Sequence, residues 1–439
     1  MNIDKAKKIH IVGIGGIGIS ALARVLEAQG AVVSGSDLET GGHKAENVPT
    51  DADLLIYSAA VPENNSERAR ARELGIKTIS YPEALGEFCS GKKVIAVAGT
   101  NGKTTTTAMI GWILEQAGMD PTVVVGSKVL AWDANARVGQ GQWVVLEADE
   151  YRRAFLNYQP DIAVITNIAA DHLDYYKDIE DIKGAFAEFV GNIKPGGTFV
   201  YNMDDENTRE LPPSPSLSKE GESPFLLQRE GRGEFGVIEM VGFSSGNNFK
   251  LQIPGRYNQS NAAAGATVCR ILGIPQTIVA SALESFSGTS RRFEKVGRLG
   301  RTEIISDYAH HPDAVRVTMQ TARELYGGKV LAVFQPHQHN RTKKLFHEFV
   351  RAFCSSTVEN FIICEIFDVA GREDLGDQDI SSQDLVREIQ KCGKHASYAK
   401  DLSDCETQIR AIAAKFDAII IMGAGDIYKV ASKLVSSKQ

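Results

Sequence analysis

The chain has 439 residues, 43% of them hydrophobic and 23% charged, and a formal net charge of -7. That length exceeds a single compact core and implies two or three domains of ordinary globular composition. The acidic balance gives no electrostatic footprint for nucleic acid or an anionic membrane surface, so small molecules are the expected partners.

The opening, "MNIDKAKKIHIVGIGG", passes from charged residues into a strand and a glycine turn. It lacks the apolar region and small-residue cleavage site of a signal peptide. No window offers about 18 uninterrupted apolar residues. The six cysteines (Cys89, Cys269, Cys354, Cys364, Cys392 and Cys405) are scattered without a C-x-x-C pair. This pattern speaks against a zinc cage or a disulfide framework and suits a reducing cytosol. A cytoplasmic protein is expected.

Apolar strand-like runs alternate with helical patterns through most of the chain, which predicts parallel α/β architecture. "KIHIVGI" precedes a helix through Leu22 and Leu26, and "LLIYSA" precedes the charged helix around "SERARARELG". Within "GIGGIG", Gly13, Gly15 and Gly18 follow a strand and open a helix, and Asp37 ends the next strand. This is the pattern of a turn that approaches a diphosphate closely, with an acid placed for a ribose. Taken alone it fits a nicotinamide dinucleotide as well as a nucleotide sugar.

After the connector "FCSGKK", a second series begins with "VIAVAGTNGKTTTTAMIGW" and continues through "WVVLEADE" and "DIAVITNI". In "GTNGKTT", Gly99 and Gly102 allow inward-facing backbone N–H groups, Lys103 can reach β/γ phosphates, and the Thr104 hydroxyl can ligate Mg²⁺. The spacing is shorter than the common phosphate loop, because Val97 stands where its first glycine would be. The helix that follows adds its positive end to the pocket. Glu147 and His172 fall just past strand ends, where an open parallel sheet gathers its ligand-binding groups, and could complete a metal shell. Hydride transfer needs no ATP, so this second loop shifts the balance away from a dehydrogenase.

Residues 211–234, "LPPSPSLSKEGESPFLLQREGRGE", concentrate Pro, Ser, Gly and charge and are expected to be a structureless surface insertion. A third α/β series opens after "FSGTSRRFE", with "TEIISDYAHHP", "VLAVFQPH", "FIICEIF" and "AIIIMGAGD" as strands.

Taken together, "GIGGIGISALARVL", "GTNGKTTTT", "EADEYRRAFL", "TNIAADHLDYY", "PGRYNQSNAAAG", "GTSRRFE", "DYAHHP", "FQPHQHNRT" and "MGAGDI" closely resemble the Mur ligases, in the family's order. The resemblance covers nearly the whole chain apart from the Pro/Ser insertion. It implies three α/β domains: a UDP-binding Rossmann-like domain over 1–90, a central P-loop-type ATPase domain with a mostly parallel sheet over 91–288, and a C-terminal Rossmann-like domain over 289–439. It also implies a reaction in which ATP phosphorylates a carboxylate and an amine displaces the phosphate. UDP-N-acetylmuramate and L-alanine would be the substrates and Mg²⁺ the metal; monomer and homodimer both stay open.

By the same resemblance, Gly13, Gly15, Gly16, Gly18, Asp37 and Ser58 would bind the UDP-linked substrate. Gly99, Thr100, Asn101, Gly102, Lys103, Thr104 and Thr105 would hold ATP, with Thr104, Glu147 and His172 on the metal. Asn258 and Asn261 would meet adenine, and Arg292 and Asp307 phosphate and ribose. His311, His337 and Arg341 would position the amino acid, Arg341 taking its carboxylate. Lys103, His172, Arg292, His311 and Arg341 form the expected catalytic set. Asn101, Tyr257 and Gln338 depart from the L-alanine-adding branch, so a relative that uses another amino acid or a tripeptide remains an alternative.

Overall fold

The computed structural model describes residues 3–173, 175–211, 222–228, 235–246, 248–368 and 379–436. Its strands form three separate sheets, as the α/β pattern predicts. The chain divides into two compact units, Met1–Gln252 with Arg256–Thr289, and Ile253–Gly255 with Ser290–Gln439. The first unit holds two of the sheets.

The first sheet contains β1 (Lys8–Val12), β2 (Val32–Ser36), β3 (Leu54–Tyr57) and β4 (Lys77–Ser80). All are parallel, in the order β2-β1-β3-β4. The helix Ile17–Ala28 buries Ile19, Leu22, Ala23, Val25 and Leu26, the spacing of one amphipathic face. The helix Tyr81–Cys89 starts sharply because Ser80 and Glu83 form a reciprocal capping box, with Pro82 in the first turn. Neighbours diverge to either side of β1, so a crevice opens at the carboxyl ends of β1, β2 and β3.

The second sheet contains β5 (Lys93–Ala98), β6 (Thr122–Val129), β7 (Ala134–Arg137), β8 (Trp143–Glu147), β9 (Ile162–Ile165), β10 (Thr198–Asn202), β11 (Glu222–Gln228) and β12 (Phe235–Phe243). Their order is β11-β12-β10-β9-β5-β8-β6-β7, parallel except for the antiparallel edge pairs β11–β12 and β6–β7. Val94 to Ala98 of β5 are fully buried, as an unbroken apolar run must be in a parallel strand covered on both faces. The helix Lys103–Gln116 packs against the helices Arg256–Ile271 and Gln276–Ser285, and Trp112 Nε1 donates to Ala282 O at 2.9 Å. One hydrophobic core runs through both sheets, from Ile9 and Leu22 to Ala163 and Phe186. Asn135 Nδ2 ties them further, donating to Ile17 O at 2.5 Å and to Ser20 Oγ at 2.9 Å.

The expectation of a structureless 211–234 needs correction. Residues 212–221 and 229–234 lie outside the described residues, but Glu222–Gln228 is a strand paired with β12 from Glu222↔Val241 to Gln228↔Phe235. Averaging composition over 24 residues conceals the apolar run "FLL" within it, and an edge strand is where its Pro224 can be tolerated.

The second unit is built on β13 (Glu294–Leu299), β14 (Thr302–Asp307), β15 (Val330–Phe334), β16 (Asn360–Cys364), β17 (His395–Ala399) and β18 (Ala418–Met422). The order is β13-β14-β18-β15-β16-β17, with only β13 antiparallel. Separate apolar clusters cover its two faces. A second correction falls here: Cys354 and Cys392 form a disulfide with Cα atoms 5.7 Å apart. Their separation of 38 residues gives no local motif; the fold brings them together by packing the helix Phe346–Cys354 against Ser382–Lys391. Among the described residues, no helix is long and apolar enough to cross a membrane.

Candidate active site

At the carboxyl end of β1 the chain turns at once. Gly13 N and Ile14 N both donate to Ser36 O, at 2.8 and 3.1 Å. Gly15 N donates to Asp37 Oδ2 at 3.0 Å, and Gly16 is the N-cap of the helix that follows. Ser58 continues β3 into the same crevice, its N donating to Val12 O at 3.0 Å. Gly13, Gly15, Gly16, Gly18, Asp37 and Ser58 therefore gather at one end of the first sheet. Beneath them sits a group that sequence reading missed. Glu67 is fully buried and accepts from His10 Nε2 (2.9 Å), Ser36 Oγ (2.7 Å), Asn47 Nδ2 (2.7 Å) and Lys44 N (2.9 Å). Burial pushes its carboxyl up, but these donors outweigh burial and hold it below its ordinary value. Nothing in the local sequence "SERARARE" distinguishes Glu67 from a solvated helix acid.

The second crevice lies at the ends of the adjacent strands β9, β5 and β8. Gly99 and Gly102 have φ of 131° and 87°, outside the range comfortable for other residues. A Cβ at Gly99 would overlap Thr166 Oγ1, and one at Gly102 would overlap Asn261 Oδ1. The loop is fastened to the β9 side: Thr100 N donates to Asn167 O at 2.9 Å, Asn101 N to Asn167 Oδ1 at 3.1 Å, and Thr166 Oγ1 to Asn101 O at 2.6 Å. Lys103, Thr104 and Thr105 form the first turn of the helix. Asn258 and Asn261 are buried behind it, bonded to each other at 3.1 Å, with Thr106 Oγ1 donating to Asn261 Oδ1 at 3.2 Å.

Across the loop stands an acidic rim. Thr104 Oγ1 donates to Glu147 Oε1 at 2.9 Å, and Glu147 Oε2 accepts from Gly126 N at 2.7 Å. Lys103 Nζ reaches Gly99 O at 2.7 Å and Glu150 Oε2 at 2.7 Å. Burial lowers the Lys103 ammonium, but Glu150, Asp149 and Glu147 outweigh it and raise the group above its ordinary value. Burial also lifts the Glu150 carboxyl to about 7, against the opposing charge of Lys103. His172 joins Asp149 and Glu150 in a group whose ligand atoms lie within 4.8 Å of one another, a donor set suited to a divalent cation. Asp149 and Glu150 were not singled out from sequence, although the acids at the first, third and fourth positions of "EADE" were the available signal.

In the second unit, the ends of β14, β18, β15 and β16 gather the remaining residues. Asp307 is buried, its oxygens accepting from Phe293 N and Ala309 N at 2.7 Å each. Burial raises its carboxyl above the ordinary value, opposed by the Arg292 charge and these amides. Arg292 lies over the Tyr308 ring at 5.1 Å. Arg291 is also built in rather than solvated: it donates to Gly423 O at 2.6 Å and Gly425 O at 3.0 Å, with Tyr308 and Tyr428 rings each 4.6 Å away. His311 is the N-cap of the helix Pro312–Tyr326, and its ring nitrogens are buried without a hydrogen-bond partner among the described residues, Asp313 Oδ2 lying 4.0 Å from Nδ1. Arg341 Nη1 lies 3.4 Å from His337 Nδ1. The His337 ring stacks on Phe367 at 5.8 Å and is 5.9 Å from that of His310. Beyond β16, Asp368 takes His339 Nδ1 at 2.6 Å.

Three open α/β sheets, with one glycine turn at a strand-order reversal and a lysine-bearing phosphate loop at the centre of the second sheet, define the class. The chain belongs to the Mur ligase family. Residues 8–93 match the Mur ligase family catalytic domain, 97–269 the Mur ligase middle domain, and 291–425 the Mur ligase glutamate ligase domain. The chain is similar to the UDP-N-acetylmuramate–L-alanine ligase of Desulfitobacterium hafniense, 40% identical and covering 97% of this chain and 99% of that one. It is 36% identical to the ligase of the same name from a Sulfurihydrogenibium species, covering 98% and 97%. Among solved structures, the UDP-N-acetylmuramate–alanine ligase of Thermotoga maritima superposes with a TM-score of 0.77 at 29% identity, covering 97% and 98%. A murein peptide ligase from Psychrobacter arcticus, at 20% identity and TM-score 0.65, shares the fold.

Proposed function

We propose that the chain joins L-alanine to the lactyl carboxylate of UDP-N-acetylmuramate, with ATP consumed as a substrate and an acyl phosphate between the two half-reactions. A carboxylate is a poor electrophile, and phosphorylation supplies the leaving group that an amine can displace. The observation that carries this reading is the phosphate loop itself. Gly99 and Gly102 leave no space for side chains, Lys103 is held protonated, and the Thr104 hydroxyl already touches Glu147. These groups fit MgATP: backbone amides and Lys103 for phosphates, Thr104, Glu147 and His172 for Mg²⁺, whose charge would screen the two anions that must meet. The buried Asn258–Asn261 pair would support the adenine side.

The glycine turn and Asp37 would take the UDP diphosphate and ribose, as in the curated relatives' named substrate. In the second unit, Arg292 and Asp307 would serve phosphate and ribose, and His311, His337 and Arg341 the amino acid, with the Arg341 fork matched to its carboxylate. A cytoplasmic location suits this chemistry. A second reading keeps the reaction and changes the amine, and Gln338, with φ of 67° at the entry to helix His339–Lys344, is where it would act. Phosphate release by the purified chain with UDP-N-acetylmuramate, MgATP and each amino acid or tripeptide in turn decides between them. No coupled release with any amine would sink both, and a change in nicotinamide absorbance would restore the dehydrogenase reading.

A further inference from the structure

Two consecutive arginines beside the phosphate loop adopt a backbone conformation that side-chain-bearing residues seldom take. Arg152 has φ 52° and ψ 29°, and Arg153 has φ 57° and ψ 28°. His172, on the facing loop, has φ 54°. Left-handed residues other than glycine are uncommon, and strain of this kind persists where surrounding structure or function holds it. For Arg153 the holding contacts are visible: its guanidinium bonds Asp181 at 2.8 Å and Glu188 at 2.5 Å. Arg152 is exposed, and among the described residues no carboxylate neutralises it. Its guanidinium lies over the Tyr151 ring at 5.5 Å.

That ring connects it to the reaction centre. Tyr151 and His172 have ring centroids 4.8 Å apart, His172 Nε2 is 3.9 Å from Glu150 Oε1, and Glu150 holds Lys103. The rim so formed carries Glu147 and Asp149, acids that oppose an incoming carboxylate, beside Glu150, which is occupied by Lys103. Lys103, the cation of the loop, is already engaged by Glu150 and Gly99 O.

We propose that Arg152 is the residue that recognises the carboxylate to be activated, its planar fork pairing both oxygens and offsetting the acidic rim. This rests on the ligase reading above. The left-handed turn at 152–153 fixes where the Arg152 side chain leaves the chain, two residues after Glu150, the Arg153 ion pairs anchor that turn to helix Ile179–Gly191, and the Tyr151 ring lies under the guanidinium without neutralising it.

The test compares two UDP sugars that differ by the acid. UDP-N-acetylmuramate and UDP-N-acetylglucosamine, which lacks the lactyl carboxylate, are titrated calorimetrically into the full chain and into R152A, R152K and R152G. R152A should weaken UDP-N-acetylmuramate about 10- to 100-fold, the loss expected for a charge-assisted pair, and leave UDP-N-acetylglucosamine unchanged. R152K should recover part of the loss. R152G should lose the same affinity as R152A yet melt at a higher temperature, because glycine accepts the left-handed turn. Equal weakening of both sugars, or no weakening of either, would overturn the assignment. Failure of the unmodified chain to bind either sugar would remove the ligase reading and this inference together.

Discussion

The Lys103 ammonium and the Glu150 carboxylate meet at 2.7 Å with both side chains largely shielded from water. A strongly shielded pair of this kind is costly to break from either side, because the survivor is left as an uncompensated charge. The loop lysine is thus held in place and charged by the fold itself.

Replacing Lys103 by Ala should abolish UDP-substrate-dependent phosphate release, by about 10²-fold or more, the scale seen when a charge-stabilising donor is removed. Binding of UDP-N-acetylglucosamine, which has no carboxylate to meet the acidic rim, should stay within about 3-fold of normal, well under 1 kcal/mol. Calorimetric titration beside a phosphate assay reads both. Loss of both together would show that the two crevices have been assigned wrongly.

Glu150 gives a pH prediction. Its carboxyl rises from an ordinary 4.5 to about 7 in the folded chain, so folding favours the protonated form. Its contribution to stability is full below the unfolded value, and falls as pH rises through about 7, by at most about 1.4 kcal/mol per unit. Urea unfolding of wild type and E150Q at several pH values reads this carboxyl together with its partner Lys103, whose ammonium Glu150 helps to raise. The wild-type-minus-E150Q stability should decline between about pH 5 and about pH 7; a level difference would contradict it.

The Cys354–Cys392 bridge closes a loop of 38 residues. By loop-closure entropy it should stabilise the second unit by about 4 kcal/mol. Dithiothreitol, or the double replacement of Cys354 and Cys392 by Ser, should lower the melting temperature of that unit, with no further effect of the reductant on the double variant. Identical melting of oxidised and reduced wild type would show the bridge to be energetically idle.

Arg341 should act on the amino acid alone. R341A is expected to raise the KM for the amino acid about 10-fold or more, as for loss of a charged hydrogen-bonded partner, while KM for MgATP moves less than about 3-fold. Parallel changes in both constants would undo the assignment.

Much of the fold was legible because its signals are local. Runs such as "KVIAVA" and "AIIIM" announce buried parallel strands, and the two glycine turns announce where strands give way to helices. Long-range pairing was not legible. The β11 strand hid in a polar segment, and Cys354 found Cys392 only through helix packing. The crevice residues separate in the same way. Thr104, in the glycine loop, and Glu147, at the end of β8, could be placed together from the order of the sequence, whereas Glu150 looks from sequence like one more surface acid. Its burial, and therefore its hold on Lys103, is set by the loop after β9, with Tyr176 donating its hydroxyl to Glu150 O at 2.5 Å.

The wiring around Glu67 carries a consequence for how this protein can change over generations. One carboxylate serves donors drawn from β1, from the end of β2 and from the 44–47 segment, so a lone change at position 10, 36, 47 or 67 leaves a buried partner unsatisfied. Chimaeras that exchange part of the amino-terminal sheet with a relative will tolerate the graft when all four travel together, and will fail when the seam divides them.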